Sequence, residues 1–317
     1  MEARASRIRR VRSTELAPAS FRRLALLAVA ALFVVVTTGA VVRLTASGLG
    51  CENWPRCGAT PFPEKDFHAL VEFGNRVVAL VAMLVTMVAA AAARLVDGLP
   101  RWVPRASLAA ALATVAQVPL GGLTVMFDLH PLLVMGHFLL ALVAVGLAVV
   151  VAVGSHVYSR GHSPESVPRP LTWLALALVP VTALVVVTGA FVTAAGPHSG
   201  GEEIRRLGTL VDALYVHVRA TAVFAVAFLL LVVALHHLRE RARAERLLAA
   251  GVLAVLVAQM AVGEVQWRRE LPWWLVLVHV ALATSVWAGV VALAAFLRLR
   301  PAPIPERTAR QPRALPR

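Results

Sequence analysis

Four polar side chains stand at matched places in a strongly apolar chain: Asn75, His137, His217 and His279. Asn75 and His137 are 62 residues apart, and so are His217 and His279. Such groups are expensive in hydrocarbon and need a reason to be there. A neutral imidazole nitrogen ligates iron well, and two imidazoles facing each other across a helical bundle can fill both axial positions of a haem. Apolar neighbours then cover the faces of the macrocycle. Zinc is the rival, but no thiolate or further carboxylate accompanies His217 and His279 to complete a tetrahedron. A single such histidine would be read as a hydrogen-bonding group between helices, whereas the repeated pair favours haem. Asn75 is the odd member, because an amide is a poor iron ligand.

Asn75 has neighbours of its own. In "HALVEFGNRVVAL", residues 68–80, Glu72, Asn75 and Arg76 fall at i, i+3 and i+4 and share one helix face. Turned into a bundle, they would line a bound haem with a carboxylate, an amide and a cation. The carboxylate could stabilise developing positive charge or handle protons. Arg76 has two readings, a bidentate partner for a haem propionate or an ion-pair partner for Glu72 one turn away. Arg219 lies in the same zone of the second half and is another candidate propionate partner. His68 extends the face one turn outward, either as a gate or propionate contact or as a solvated histidine at the interface.

The elements that must position these groups are membrane helices. The 317-residue chain is 59% hydrophobic with a mean hydropathy of +0.76, well above a soluble domain. Segments apolar enough to span a bilayer, about 20 residues each, run over 21–42, 68–94, 106–127, 131–154, 171–195, 209–236, 246–266 and 272–298. Asn75 and the three histidines lie about six to eight residues inside their helices, roughly 10 Å below one surface at about 1.5 Å per residue. The first segment follows an Arg-rich stretch, as a signal peptide would. Its apolar core continues to Val42 with no convincing cleavage site, so a retained helix is expected.

The formal charge of +14 invites a nucleic-acid reading, and its distribution argues against one. Of 31 Lys and Arg, 22 fall in the two tails and the connections after the second, fourth and sixth helices. Seven fall in the other connections, and Arg76 and Arg219 lie within helices. This is the positive-inside pattern for an even number of spans. It predicts a multi-pass protein of the cell membrane with both termini cytoplasmic and no nucleic-acid partner. The tails 1–20 and 300–317 have a composition typical of disorder. The only cysteines, Cys51 and Cys57, share the first outer connection, where an oxidising compartment favours a disulfide.

The chain also repeats itself. "VVVTTGAVVRLTASG" (34–48) matches "LVVVTGAFVTAAG" (184–196), and "AQVPLGGLTV" (116–125) matches "AQMAVGEVQW" (258–267). Gln117 precedes His137 by 20 residues, as Gln259 precedes His279. We therefore predict an all-α membrane protein of eight transmembrane helices in two pseudo-symmetric four-helix bundles, 21–155 and 171–299. A polar, proline-containing linker, 156–170, would join them.

With these residues in hand, the sequence resembles the heme A synthase family of membrane haem-modifying enzymes. The resemblance spans about residues 25–297 and is carried by "TGAVVRLTASGLGCENWPRC", "HALVEFGNRVVAL", "MGHFLLAL" and "TGAFVTAAGPHSGG". It implies a haem-dependent oxidoreductase that hydroxylates the C8 methyl of haem o in successive steps, giving the formyl group of haem a for cytochrome oxidase. A resident haem b, with its iron, would sit in the C-terminal half on His217 and His279. The substrate haem would sit in the N-terminal half at His137 and Asn75, with Arg76 and His68 nearby. Glu72 matches the family's functional glutamate, and Cys51 and Cys57 its outer-loop cysteine pair. Functional links to a haem o synthase and to cytochrome oxidase assembly follow, within the lipid bilayer, and a homo-oligomer is compatible with them. Two departures stand out: Asn75 replaces the histidine of many members, and the loop "GPHSGGEEIRRLG" of the second half has no cysteine pair. Two other readings compete, a di-haem membrane electron carrier, disfavoured by Asn75 and Glu72, and a haem-binding chaperone or transporter without catalysis.

Overall fold

The structure is a computed structural model of the chain and describes residues 16–51, 54–58, 62–63, 65–160, 167–198, 200, 205–238 and 242–299. Most of the tails 1–20 and 300–317, and residues 161–166 of the expected linker, lie outside the described residues. Eight α-helices follow in chain order: α1 Pro18–Leu44, α2 Phe67–Ala92, α3 Trp102–Met126, α4 Pro131–Arg160, α5 Arg169–Ala195, α6 Leu210–His237, α7 Arg243–Arg268 and α8 Trp273–Arg298. A short 3₁₀ turn, Ala93–Leu95, prolongs α2. All eight helices are long and apolar enough to cross a membrane, and no strand occurs among the described residues. This is an all-α membrane protein, the class in which each span satisfies its own backbone polar groups.

Several helices outrun their apolar segments. Helix α4 reaches Arg160 rather than residue 154, and α3 starts at Trp102 rather than residue 106. Apolar counting stops where hydrocarbon stops, whereas the helix continues through the interface, where Trp102 and Tyr158 pack with ring centroids 6.4 Å apart. The linker is correspondingly shorter than 156–170. Helix starts are fixed by side-chain caps where the connections are polar. The Asp66 carboxylate accepts from the N–H groups of His68 and Ala69 at 2.9 and 3.1 Å, and Thr209 Oγ1 accepts from Asp212 N–H at 3.3 Å.

Helices α1 to α4 pack in a closed ring, each on the next and α4 back on α1, and α5 to α8 do the same. The two rings meet where α4 packs on α8, α1 on α8 and α4 on α5. Exchanging the halves maps this set of contacts onto itself. Helices α4 and α8 are the most enclosed. Between them the Trp287 indole lies on Gly146 and donates its N–H to the Leu142 carbonyl at 2.8 Å. A Cβ at residue 146 would come within 3.2 Å of that indole, so the close approach of the central helices depends on the glycine.

The sequence repeat has a backbone counterpart. The α3–α4 turn holds Asp128 and Leu129 at φ 49° and 54°, and the α7–α8 turn holds Glu270 and Leu271 at φ 61° and 60°. Leu129 N–H donates to the Thr124 carbonyl at 2.7 Å, and Leu271 N–H to the Gln266 carbonyl at 2.8 Å. Left-handed backbone is uncommon for residues with a Cβ and costs on the order of 1 kcal/mol or more at each position. Two consecutive such residues, used the same way in both turns, fix α4 relative to α3 as α8 is fixed relative to α7. Those two second helices carry His137 and His279.

Candidate haem site

The four polar positions come from diagonal corners of the two rings, Asn75 on α2 with His137 on α4, and His217 on α6 with His279 on α8. Each is seated against a glycine of the preceding helix. A Cβ at Gly121 would lie 3.3 Å from Cε1 of His137, one at Gly189 3.0 Å from Cε1 of His217, and one at Gly263 3.1 Å from Cε1 of His279. At Gly39 the nearest atom is Oδ1 of Asn75, at a comfortable 4.0 Å. The three imidazoles therefore lie almost on the neighbouring helix backbone, while the shorter asparagine leaves its seat loosely filled.

Polar partners steady these seats. Gln117 Nε2 donates to the His137 carbonyl at 3.1 Å, which accounts for the 20-residue interval read in the sequence. Thr188, next to Gly189, places its hydroxyl 3.1 Å from Nδ1 of His217. Thr38, next to Gly39, donates to Oδ1 of Asn75 at 2.7 Å. The Nδ1 atoms of His137 and His279 and the Oε1 atoms of Gln117 and Gln259 are buried without a partner in the protein. Buried polar atoms are seldom left so, and those that are mark functional sites or groups the protein itself does not supply.

Among the described residues no three of His, Cys, Asp and Glu cluster as an all-protein metal site would require. The donor set is instead one or two imidazoles per ring, surrounded by apolar helix faces. That fits a macrocycle-bound iron, which needs only axial ligands from the protein.

Glu72 and Arg76 are brought together, and both turn to the loop that precedes α2. Cys51 and Cys57 form a disulfide. The buried Glu72 carboxylate accepts from Cys51 N–H at 2.8 Å and pairs with Arg76. Arg76 in turn donates to the carbonyls of Pro55 and Arg56, both at 3.1 Å. Of the two readings of Arg76, the ion pair is present, and its remaining donors hold the loop. Held this way, the loop lays the Trp54 ring on Gly122, where a Cβ would come within 2.8 Å of two ring carbons. The next residue back, Gly121, is the seat of His137, so the loop covers the first ring at the level of its histidine.

Two other candidates sit differently. His68 is exposed but tied to the end of α1, its Nδ1 2.9 Å from the Ser47 hydroxyl. Arg219 is exposed on α6 with its guanidinium 5.8 Å from the Tyr215 ring centroid, two residues from His217 and on another helix face. The structure does not join it to the histidines. Sequence reasoning passed over the glycine seats, Thr38 and Thr188. The repeat itself held the signal, since "TG" recurs at 38–39 and 188–189. Arg43 ends α1 and donates to the Thr193 carbonyl at the end of α5 at 2.7 Å, while Gly48 N–H donates to the Gly200 carbonyl at 3.1 Å. These bonds join the loop ends of the two rings.

Comparison with known proteins bears on the whole of this arrangement. The family described as COX15-CtaA, cytochrome oxidase assembly protein, matches residues 22–66 and 59–291. The heme A synthase of Symbiobacterium thermophilum is 30% identical over 298 residues, covering 88% of this chain and 96% of that protein. The heme A synthase of Geobacillus kaustophilus is 35% identical over 107 residues, 33% of each chain. That of Bacillus pumilus is 26% identical over 179 residues, 55% of this chain and 58% of the relative.

Proposed function

The chain belongs to the heme A synthase family of cytochrome oxidase assembly proteins, membrane-spanning haem-dependent oxidoreductases, and on that premise we propose that it oxidises the C8 methyl of haem o to the formyl group of haem a. The product would serve cytochrome oxidase assembly, and a haem o synthase would supply the substrate. The observation that carries this reading is the pairing of like seats with unlike occupants: three glycine-backed imidazoles and one glycine-backed amide.

In this reading the C-terminal ring, within 171–299, holds a resident haem b between His217 and His279. In the N-terminal ring, within 21–155, His137 would hold haem o, with Asn75 on the facing helix. When bound, the resident haem supplies a one-electron redox centre and the substrate iron the position at which oxygen chemistry is done. The protein's part is to orient and enclose. Gly121 lets the His137 ring approach α3, Gln117 fixes the start of the His137 turn, and Trp54 closes the bundle mouth against water. Glu72 is the carboxylate of the reacting half. It keeps the Cys51–Cys57 loop in place and puts negative charge where positive charge would develop on the substrate. The excess of arginine at the ends opposite the disulfide supports a cell-membrane orientation with both termini cytoplasmic and the disulfide outside.

The test is direct. Membranes containing the protein and supplied with haem o should accumulate a haem with an aldehyde absorption, resolved by chromatography and by its pyridine adduct. Retained haem with no aldehyde product would leave a haem-binding protein and remove the enzyme assignment.

A further inference from the structure

Thr38 and Thr188 each precede a glycine seat, and each reaches the polar residue on the following helix. A hydroxyl has one proton to give and two lone pairs with which to accept. At Thr188 the shorter contact runs to the Val185 carbonyl, 2.9 Å, and the longer to His217 Nδ1, 3.1 Å. The proton goes to the carbonyl, and the hydroxyl oxygen accepts from Nδ1–H. That tautomer leaves Nε2 with its lone pair, the form a metal requires. At Thr38 the order is reversed, with 2.7 Å to Asn75 Oδ1 and 3.2 Å to the Val35 carbonyl. Here the proton goes to the amide oxygen, and the free arm of the amide carries only N–H groups.

We propose that Thr38 is a positioning residue that sets Asn75 as a hydrogen-bond donor facing the side of the substrate haem opposite His137, where the second half presents an iron ligand. This rests on the reading that His137 holds the substrate haem. The same threonine–glycine device thus serves opposite ends: in one ring it presents a lone pair, in the other a donor. The donor would not ligate iron, and it would be placed to hydrogen-bond a small molecule held by the substrate haem. The 4.0 Å clearance at Gly39 leaves the amide free of the crowding that pins the imidazoles.

The probe is carbon monoxide, bound to the reduced full-length protein loaded with haem o, with the C–O stretch read by infrared or resonance Raman spectroscopy. A donor lowers that frequency and a facing lone pair raises it. The wild-type band should lie below that of Asn75→Leu, Thr38→Val should move it toward the Leu value, and Thr38→Ser should restore it. Thr188→Val should leave the band in place. Retention of the low-spin absorption of the second half reports an intact fold in the Asn75 and Thr38 variants. If the wild type forms no carbon monoxide adduct, the reading of an open first-half site falls and this inference with it. If the adduct forms but its band in Asn75→Leu is equal or lower, only the donor role is overturned. A Thr38→Val band equal to that of the wild type removes the positioning role.

Discussion

The seats of Asn75 and His217 differ by one side chain and share almost everything else. Both residues lie near the loop end of the second helix of their ring, both face a glycine one helix back, and both meet a threonine hydroxyl beside that glycine. The imidazole is tight, 3.0 Å from a Cβ position, and the amide is loose, 4.0 Å away. In the proposed reading, one different side chain in an otherwise matching seat separates a closed metal site from an open one. The loop ends diverge in the same direction. The first ring has the disulfide loop clamped by Glu72 and Arg76, whereas His198 of the second ring bonds the Leu271 carbonyl at 2.7 Å.

The comparison can be broken most severely at the second ring. His217→Ala or His279→Ala should abolish the low-spin absorption of the purified protein, because each removes one of the two proposed iron ligands of that ring. A surviving low-spin signal would contradict the ligand assignment. Next in size is Glu72→Gln, which keeps the shape but weakens the bonds to Cys51 N–H and Arg76. Hydrogen bonds to charged groups are worth about 1.5–3 kcal/mol. Haem content should hold while aldehyde formation falls by roughly tenfold or more, since about 1.4 kcal/mol is a factor of ten. Activity within about twofold of wild type would reduce Glu72 to Arg76's buried ion-pair partner and an anchor of the disulfide loop. Glycine substitution then sharpens the contrast between seats. Gly189→Ala overpacks against His217 at a cost of about 1–3 kcal/mol, so resident haem should be lost more readily on purification, while Gly39→Ala should leave haem content unchanged. Equal losses at the two seats would erase the difference in clearance. The smallest effect is expected of Arg219→Gln, which removes a cation–π contact worth about 0.5–1 kcal/mol at an exposed site. A large loss of resident haem in that variant would show that Arg219 turns inward to the haem.

Much of this was legible in the sequence because a membrane imposes its pattern plainly. Eight apolar runs became eight helices, and the disulfide formed where two cysteines shared one connection. The matched spacing of the histidines became matched corners of two rings because the repeat carries the same turn, Asp128–Leu129 and Glu270–Leu271. Three kinds of feature escaped. Helix ends ran past their apolar segments, since interfacial aromatic residues continue a helix without raising its hydropathy. The glycine seats were hidden because a glycine in an apolar helix looks like any small residue until its neighbour is known. The destination of Glu72 and Arg76 was hidden because helical spacing gives a shared face but not what lies opposite. For this pair it is the backbone of Cys51, Pro55 and Arg56.

The central claim is that the two rings hold unlike haem sites. Electron paramagnetic resonance of the oxidised full-length protein, loaded with haem in both rings, tests it most directly. The account predicts one low-spin centre that remains on purification and one high-spin centre that exchanges with added haem, with Asn75→His converting the second to low spin. Two equivalent low-spin centres in the wild type would mean that another residue ligates opposite His137, and the distinction between the rings would be wrong.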